Sequence, residues 1–248
     1  MLLRQLFDLE TNTYTYLIAD TLTKQAALVD PVLEQLERDL WLIQELGLSL
    51  VYCLETHIHA DHITGTGKLR QISGCKGIVP EKAAIACADR YIKDGEVLQL
   101  GEVKIEAIAT PGHTDSHVAY LVNGELVLTG DALFIRGCGR TDFQSGDAGT
   151  LYDSVTQRLF SLPDKTLVYP GHDYRGHTVS TIGEEKQFNP RFNRGGSLIS
   201  RNSFIELMDN LNLPNPKKIL EAVPANQNCG ELISHSTINQ ITNNKEFK

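Results

Sequence analysis

Apolar residues recur along the chain with two different periods, and each period predicts its own kind of element. Short apolar or alternating runs bounded by Gly, Pro, Asn or Asp predict strands, whereas apolar residues three or four positions apart predict helices. The predicted strands cover residues 2–6, 13–18, 25–29, 48–54, 96–100, 103–110, 117–122, 126–129 and 166–169. The predicted helices cover residues 32–46, 69–73, 83–91, 151–162, 181–187 and 202–210. Strands and helices interleaved in this way predict a fold of the α/β class.

The pattern predicts a single domain. The chain has 248 residues, and neither a linker nor an internal repeat of fixed period divides it. We therefore place one domain at residues 1–235. Residues 236–248 are polar and rich in Asn, which predicts a flexible C-terminal tail.

Composition narrows the class of protein. The net charge of −8 and the lack of any Lys/Arg run exclude a nucleic-acid partner, because such a surface needs clustered cations to neutralise phosphates. The sequence contains no membrane span and begins without the pattern of a signal or transit peptide. The five cysteines lack any Cys-x-x-Cys pair, which predicts no disulfide framework and a reducing, cytoplasmic location. They are Cys53, Cys75, Cys87, Cys138 and Cys229.

A cluster of metal-ligand residues follows the apolar run at residues 48–54. Within six positions stand His57, His59, Asp61 and His62. Imidazole and carboxylate together suit Zn, Fe or Mn better than Ca or Mg. His57 and His59 lean to the same side of an extended backbone, while the other two follow the bend. The loop could therefore supply ligands to one metal ion or to two.

Further candidate ligands also stand directly after predicted strands. His113 follows Thr110-Pro111-Gly112, Asp131 follows Gly130, and His172 follows Pro170-Gly171. Each could be an ordinary turn residue by itself. Loops at strand ends often meet at one edge of a sheet, so we expect these side chains to join the first cluster.

The order of these motifs resembles the metallo-β-lactamase fold superfamily. His-x-His-x-Asp-His, a His after Pro-Gly, a Gly-Asp and a Gly-His follow one another within residues 1–175. The resemblance implies a four-layer αβ/βα sandwich with two mixed sheets flanked by helices. In the dinuclear zinc hydrolases of the superfamily every one of these positions is a ligand. The ligand set alone therefore leaves open a zinc-dependent glutathione thioester hydrolase of the glyoxalase II kind.

The surrounding sequence resembles the persulfide dioxygenase family over nearly the whole chain. The run GDALFIRGCGRTDFQ at residues 130–144 and the run HDYRG at 172–176 carry this resemblance. It continues through residues 178–181, 184–186, 189–191, 210–214 and 222–226. The resemblance implies a homodimer with one non-haem Fe(II) per chain, held by His57, His113 and Asp131. It implies oxidation of glutathione persulfide by O2 and water to sulfite and glutathione, in sulfide detoxification.

Roles for the remaining polar residues are hypotheses that go with this resemblance. His59, Asp61, His62 and His172 would orient the ligands or form a second site. The carboxylates of glutathione would be held by Arg140, Tyr174 and Arg191. We expect Asp173 to anchor its loop and Cys138 to be a packing residue.

Overall fold

The computed structural model describes residues 1–231, which form two six-stranded sheets packed face to face. The predicted domain end at residue 235 and the predicted tail, 236–248, lie outside the described residues. The strands of the first sheet are β1 (Leu2–Phe7), β2 (Tyr14–Ala19), β3 (Gln25–Val29), β4 (Ser49–Leu54), β5 (Lys76–Pro80) and β6 (Arg90–Ile92). Those of the second are β7 (Val97–Leu100), β8 (Val103–Ala109), β9 (Val118–Val122), β10 (Leu126–Gly130), β11 (Leu167–Pro170) and β12 (Ser180–Thr181). A separate hairpin contains β13 (Asn193–Arg194) and β14 (Ser197–Leu198).

Both sheets are mixed, and each follows the order of its strands in the sequence. In the first sheet β1, β2 and β3 pair antiparallel, while β3 to β6 pair parallel. In the second sheet only β10 and β11 pair parallel. A parallel neighbour requires a crossover connection, and helices provide most of these. The helices are α1 (Leu36–Glu45), α2 (Thr66–Ser73), α3 (Ala148–Asp153), α4 (Ile182–Phe188), α5 (Arg201–Asp209) and α6 (Ile219–Gln227).

Three apolar clusters define the layers of the fold. The largest lies between the sheets, where Tyr16 and Leu54 of the first sheet join Ile105 and Tyr120 of the second. A second cluster packs α3, α4 and α5 on the outer face of the second sheet. A third packs α1 and α2 on the outer face of the first. The predicted αβ/βα four-layer sandwich is therefore confirmed.

Backbone hydrogen bonds fasten the two sheets together at one edge. Tyr14 N donates to Gly171 O at 2.8 Å, and Val118 N donates to Thr56 O at 2.9 Å. Both bonds join the loop after a strand of one sheet to a strand of the other. The loops that follow β4, β8, β10 and β11 thereby meet at this edge.

Two of the predicted helices differ from those in the structure. The predicted helix at 83–91 is wrong: one 3₁₀ turn at Glu81–Ala83 is followed by Ala84 in the left-handed region and then by β6. The pairing of β6 with β5 overrides the helical propensity of the alanines in residues 83–91. Strand β5 was not predicted either. The predicted helix at 151–162 begins earlier, because the Asp147 side chain accepts a hydrogen bond from Thr150 N and caps α3. Its second half, Ser154–Leu159, is π-helical.

The structure also pairs two cysteines that the spacing predicted to be free. Cys87, in the loop before β6, forms a disulfide with Cys229, 142 residues further on and just after α6. Sequence spacing gave no sign of this pair because folding alone brings the two segments together. Within residues 1–231, no helix is both long and apolar enough to cross a membrane.

Candidate metal centre

The loop after β4 is anchored from below by one buried carboxylate. Asp30 adopts φ 51° and accepts hydrogen bonds from Thr56 N at 2.7 Å and from Thr56 Oγ1 at 2.8 Å. A left-handed conformation is tolerated by Asp better than by most residues, and here it turns the carboxylate under the loop. The following residue, His57, is thereby held at the edge where the sheets meet.

His57, His113 and Asp131 converge on one point. One potential ligand atom from each lies within 4.8 Å of the other two. His113 Nε2 is 3.5 Å from Asp131 Oδ2, and the His57 and His113 rings meet edge to face at 4.9 Å between centroids. The structure therefore brings together the three residues predicted to be the iron ligands.

Neutral partners set the tautomers of both histidines in this group. The Thr56 hydroxyl gives its one proton to Asp30, so it accepts from His57 Nδ1–H at 2.9 Å. The Arg140 carbonyl oxygen can only accept, so His113 Nδ1 donates to it at 2.6 Å. Each imidazole then keeps a lone pair on Nε2, which is the form that binds a metal ion. Burial and the neighbouring imidazoles hold the pKa of His57 well below its usual value, which favours this neutral form.

His117 positions Asp131, a role that the sequence pattern did not predict. Asp131 N donates to His117 Nε2 at 3.0 Å, so His117 Nδ1 carries the proton and donates to Thr110 Oγ1 at 2.8 Å. Burial lowers the pKa of His117 to about 3, which keeps this ring neutral. Gly130 has φ +47°, and a Cβ there would lie 2.6 Å from His117 Nε2. Only glycine allows this close approach.

A second group contains the remaining residues of the loop. Asp61, His62 and His59 also place one potential ligand atom each within 4.8 Å of one another. His62 Nδ1 is 3.0 Å from Asp61 Oδ2, and His172 Nε2 is 3.7 Å from the same oxygen. His172 Nε2 is also 3.5 Å from Asp131 Oδ1, so His172 lies between the two groups.

His59 differs from the histidines of the first group because carboxylates surround it. Its Nε2 lies 3.1 Å from Asp30 Oδ1 and 3.4 Å from Glu55 Oε2. Burial alone would lower the pKa of His59, but the two carboxylates outweigh it and raise this pKa well above its usual value. His59 is therefore a buried cation paired with buried anions.

A cleft of about 550 Å³ opens above the first group. Asp131 and His57 form part of its floor, and the predicted substrate-binding residues Arg140, Tyr174 and Arg191 lie on its walls. The Arg140 guanidinium is already engaged, with both oxygens of Asp142 at 2.6 Å and with Pro214 O at 2.7 Å. Tyr174 stacks on the His172 ring, with 5.9 Å between centroids.

The two other residues for which a role was predicted behave as expected. The Asp173 carboxylate accepts hydrogen bonds from Arg175 N at 2.8 Å and His177 N at 2.7 Å, so it anchors the loop after β11. Cys138 packs against Met208, and burial raises the pKa of its thiol to about 12. A thiol of this kind is a packing group at neutral pH.

The first group fits a divalent metal ion. Asp131 Oδ1 is buried and has no hydrogen-bond partner among residues 1–231. A buried carboxylate oxygen without a partner is unfavourable unless a cation compensates it. Two imidazoles and one carboxylate beside an open cleft are the facial donor set of non-haem Fe(II) oxygenases.

Comparison with known proteins places the chain in a family. A model described as the metallo-beta-lactamase superfamily matches residues 9–172. The mitochondrial persulfide dioxygenase ETHE1 of Mus musculus is 50% identical over 232 residues, which are 93% of this chain and 89% of the relative. The crystal structure of ETHE1 from Myxococcus xanthus has a TM-score of 0.89 and 53% identity, covering 93% of this chain and 100% of that one.

A hydrolase is also similar, but over less of the chain. The hydroxyacylglutathione hydrolase of Bradyrhizobium sp. (strain ORS 278) is 36% identical over 183 residues, which are 71% of this chain and 68% of the relative. The chain belongs to the metallo-beta-lactamase superfamily and, within it, to the family of the ETHE1 persulfide dioxygenases.

Proposed function

We propose that this protein is a persulfide dioxygenase that oxidises glutathione persulfide with O2 and water to sulfite and glutathione, using one Fe(II) per chain. Membership in the ETHE1 family supports the persulfide oxidation. The observation that carries the proposal is the convergence of His57, His113 and Asp131 on one point at the floor of the cleft. In this proposal these three side chains hold the metal.

The partners that surround the two ligand groups support the binding of one metal ion per chain. In the first group Asp131 faces His57 and His113, whose outer nitrogens have neutral partners, so the group needs a cation. In the second group His59 is already paired with Asp30 and Glu55, and His62 is hydrogen-bonded to Asp61. An ion at the second group would have to displace these contacts, and His59 would have to lose its proton before it could act as a ligand, so a second ion is disfavoured.

Cationic side chains on the cleft walls that form no ion pair within residues 1–231 support a substrate derived from an anionic thiol. Glutathione is such a thiol, because it carries two carboxylates. Arg175, Arg191 and Lys217 line the cleft, and within residues 1–231 none of them forms an ion pair. Arg191 is thus the strongest of the predicted carboxylate-binding residues, because the Arg140 guanidinium is occupied by Asp142. The Tyr174 phenol is protonated at neutral pH, so this group can donate a hydrogen bond.

The protein groups then have distinct tasks. The chemistry that iron supplies there, when bound, is activation of O2 and Lewis-acid binding of sulfur. Thr56 and the Arg140 carbonyl keep the Nε2 lone pairs of His57 and His113 directed at the ion. The neutral His117 holds the backbone of Asp131. Phe134 and Ile135 line the cleft and reduce access of water to the reacting sulfur.

Two further properties stay predictions. A homodimer was predicted from the family resemblance, and a cytoplasmic location was predicted from the expected lack of disulfides, a basis that the Cys87–Cys229 pair removes. The mouse relative is named as mitochondrial. Gel filtration with light scattering measures the first, and fractionation of the source cells measures the second.

The test is metal content per chain after purification without air, followed by O2 uptake and sulfite formation with glutathione persulfide. We expect about one iron per chain and uptake that depends on the persulfide. The competing function is a dinuclear zinc glutathione thioester hydrolase, for which the second ligand group would supply the other site. About two zinc ions, no O2 uptake and cleavage of a glutathione thioester would overturn the proposal.

A further inference from the structure

The loop that carries the metal-ligand residues is held from above by one side chain from the far end of the chain. Asn226, on α6, is 4% exposed. Its Oδ1 accepts from Thr64 N at 2.8 Å, and its Nδ2 donates to His59 O at 2.9 Å and His62 O at 2.8 Å. An Asn side chain has only two donor hydrogens, and Asn226 uses both on this loop.

Loss of these contacts would affect the loop directly. All three hydrogen bonds of Asn226 are buried, the one from Thr64 N and the two to the carbonyl oxygens. A buried backbone group without a partner costs more than the bond itself contributed, so the loop would move to reach water or another partner. Such a movement shifts His57, because it lies on the same short loop.

The end of α6 is packed against the beginning of α2 and the residues just before it. Gly67 lies directly on the Cys229 carbonyl oxygen and Gly230 lies directly on Thr64 O, with no space for a Cβ at either glycine. Cys229 N also donates to Asn226 O at 3.2 Å. The position of Cys229 therefore determines the position of Asn226.

The Cys87–Cys229 disulfide fastens this arrangement to the first sheet. Cys87 lies between β5 and β6, and Cys229 packs with Val79 and Ile85 of the same region. Ile58 of the metal loop packs against this cluster too. The disulfide, Asn226 and the metal loop thus form one continuous set of contacts, which we name the α6 clamp (Cys87, Asn226 and Cys229 with residues 57–67).

Small molecules in solvent can reach the disulfide. Cys87 is partly exposed, and both cysteines line a groove of about 450 Å³. The groove is separate from the cleft above His57, and its other walls include Arg70, Gln71 and Gly74. The remaining close pair, Cys53 and Cys75 with 3.5 Å between sulfurs, is buried in the core beneath α2.

We propose that Cys87–Cys229 is an exchange site for low-molecular-weight thiols, and that its reduction releases the α6 clamp and weakens metal binding by the loop. A thiolate attacks Sγ of Cys87, forms a mixed disulfide there and releases Cys229 as a thiolate, which takes up a proton. A second thiolate then attacks the sulfur of the bound small thiol and releases Cys87 as a thiolate, which also takes up a proton. Two small thiols become one small disulfide, and the protein gains two cysteine thiols.

This inference rests on the metal-binding role of the loop and is independent of the reaction catalysed. The test uses the full chain purified in air and equilibrated with mixtures of reduced and oxidised glutathione. Alkylation and mass spectrometry measure the state of Cys87 and Cys229. Backbone hydrogen exchange of residues 57–67 and the affinity for Co(II), followed by its visible absorption, measure the loop.

We expect reduction to speed exchange in residues 57–67 and to weaken Co(II) binding about tenfold, as loss of an outer partner of a metal site does. Cys87→Ser should show both effects without thiol and should not respond to glutathione, which excludes an action of the thiol on the metal. Full alkylation of Cys87 and Cys229 before reduction would overturn the proposal. So would unchanged exchange and Co(II) affinity after complete reduction.

The role of Asn226 is tested separately by substitutions at two amide residues of α6, Asn226 and its neighbour Gln227. Asn226→Asp keeps the shape of the side chain but removes both donors, and we expect Co(II) affinity to fall about tenfold with an altered absorption spectrum. Gln227→Ala removes an exposed amide one residue away and should change neither. Equal effects from the two substitutions would overturn the positioning role of Asn226, whatever their effect on stability.

Discussion

The two ligand groups of the loop contain the same kinds of residue, but they differ in the partners behind them. In the first group a hydroxyl and a backbone carbonyl hold the outer nitrogens of His57 and His113. In the second group carboxylates contact His59 and His62. Neutral partners leave a neutral imidazole with a free lone pair, whereas the two carboxylates beside His59 favour its imidazolium form.

This difference shows that the spacing of the ligand residues alone does not determine how many metal ions the site binds. His59 and His62 each keep one buried ring nitrogen without a partner among residues 1–231, so His62 could still bind an ion, whereas His59 could do so only after losing a proton. However, an ion at the second group would have to displace the hydrogen bonds and ion pairs already present there. An ion at the first group would meet Asp131 Oδ1 instead, which has no hydrogen-bond partner among residues 1–231. The comparison therefore predicts different consequences for equivalent substitutions in the two groups.

The largest expected effect comes from exchanging a carboxylate for an amide in each group. Asp131→Asn should lower metal affinity by more than about 100-fold and abolish O2 uptake with it, because an amide oxygen is a weak replacement for a carboxylate ligand. Asp61→Asn should keep one metal per chain. Metal content after dialysis measures both. If Asp61→Asn loses as much metal as Asp131→Asn, the two groups form one dinuclear centre and the comparison fails.

A smaller effect is expected from the partner behind His57. Thr56→Val keeps the shape of the side chain but removes the hydroxyl between His57 Nδ1 and Asp30 Oδ2. We expect metal affinity to fall about 10-fold to 100-fold, as with other outer partners of metal ligands. Thr56→Ser restores the hydroxyl and should stay close to the original protein. A metal affinity that is equal in Thr56→Val and Thr56→Ser would show that this hydroxyl does not set the tautomer of His57.

Local features of the sequence were sufficient for most of the fold. The turn Asn123-Gly124 joins β9 and β10, and both residues adopt the positive φ that this dipeptide favours in a hairpin. The ligand residues were found because each follows a strand that its apolar run already predicts. Residues 83–91 were assigned wrongly, because the alanines favour a helix whereas pairing with β5 decides the structure. Helix α6 was not predicted, since Pro224 interrupts its pattern.

The partners behind the ligands could not be predicted because they are distant in sequence. Asn226 contacts His59 across 167 residues, and the Arg140 carbonyl contacts His113 across 27. His117 is only 14 residues from Asp131, but it stood at the start of a predicted strand and had no signal of its own. Sequence spacing identifies which side chains can bind a metal. Only the folded chain shows which ring nitrogen of each imidazole carries the proton.

The last comparison concerns two arginines of the cleft. One forms an ion pair within the protein, and the other, which forms none within residues 1–231, is free to bind a carboxylate of the substrate. Arg140 is paired with Asp142, whereas Arg191 forms no ion pair within residues 1–231. We expect Arg191→Ala to raise KM for glutathione persulfide about tenfold, since a hydrogen bond to a charged group is worth about 1.5–3 kcal/mol. Metal content and kcat should change little, and the exposed Arg194→Ala serves as control. If Arg191→Ala loses metal, Arg191 supports the site itself; if its KM is unchanged, another cation of the cleft holds the carboxylate.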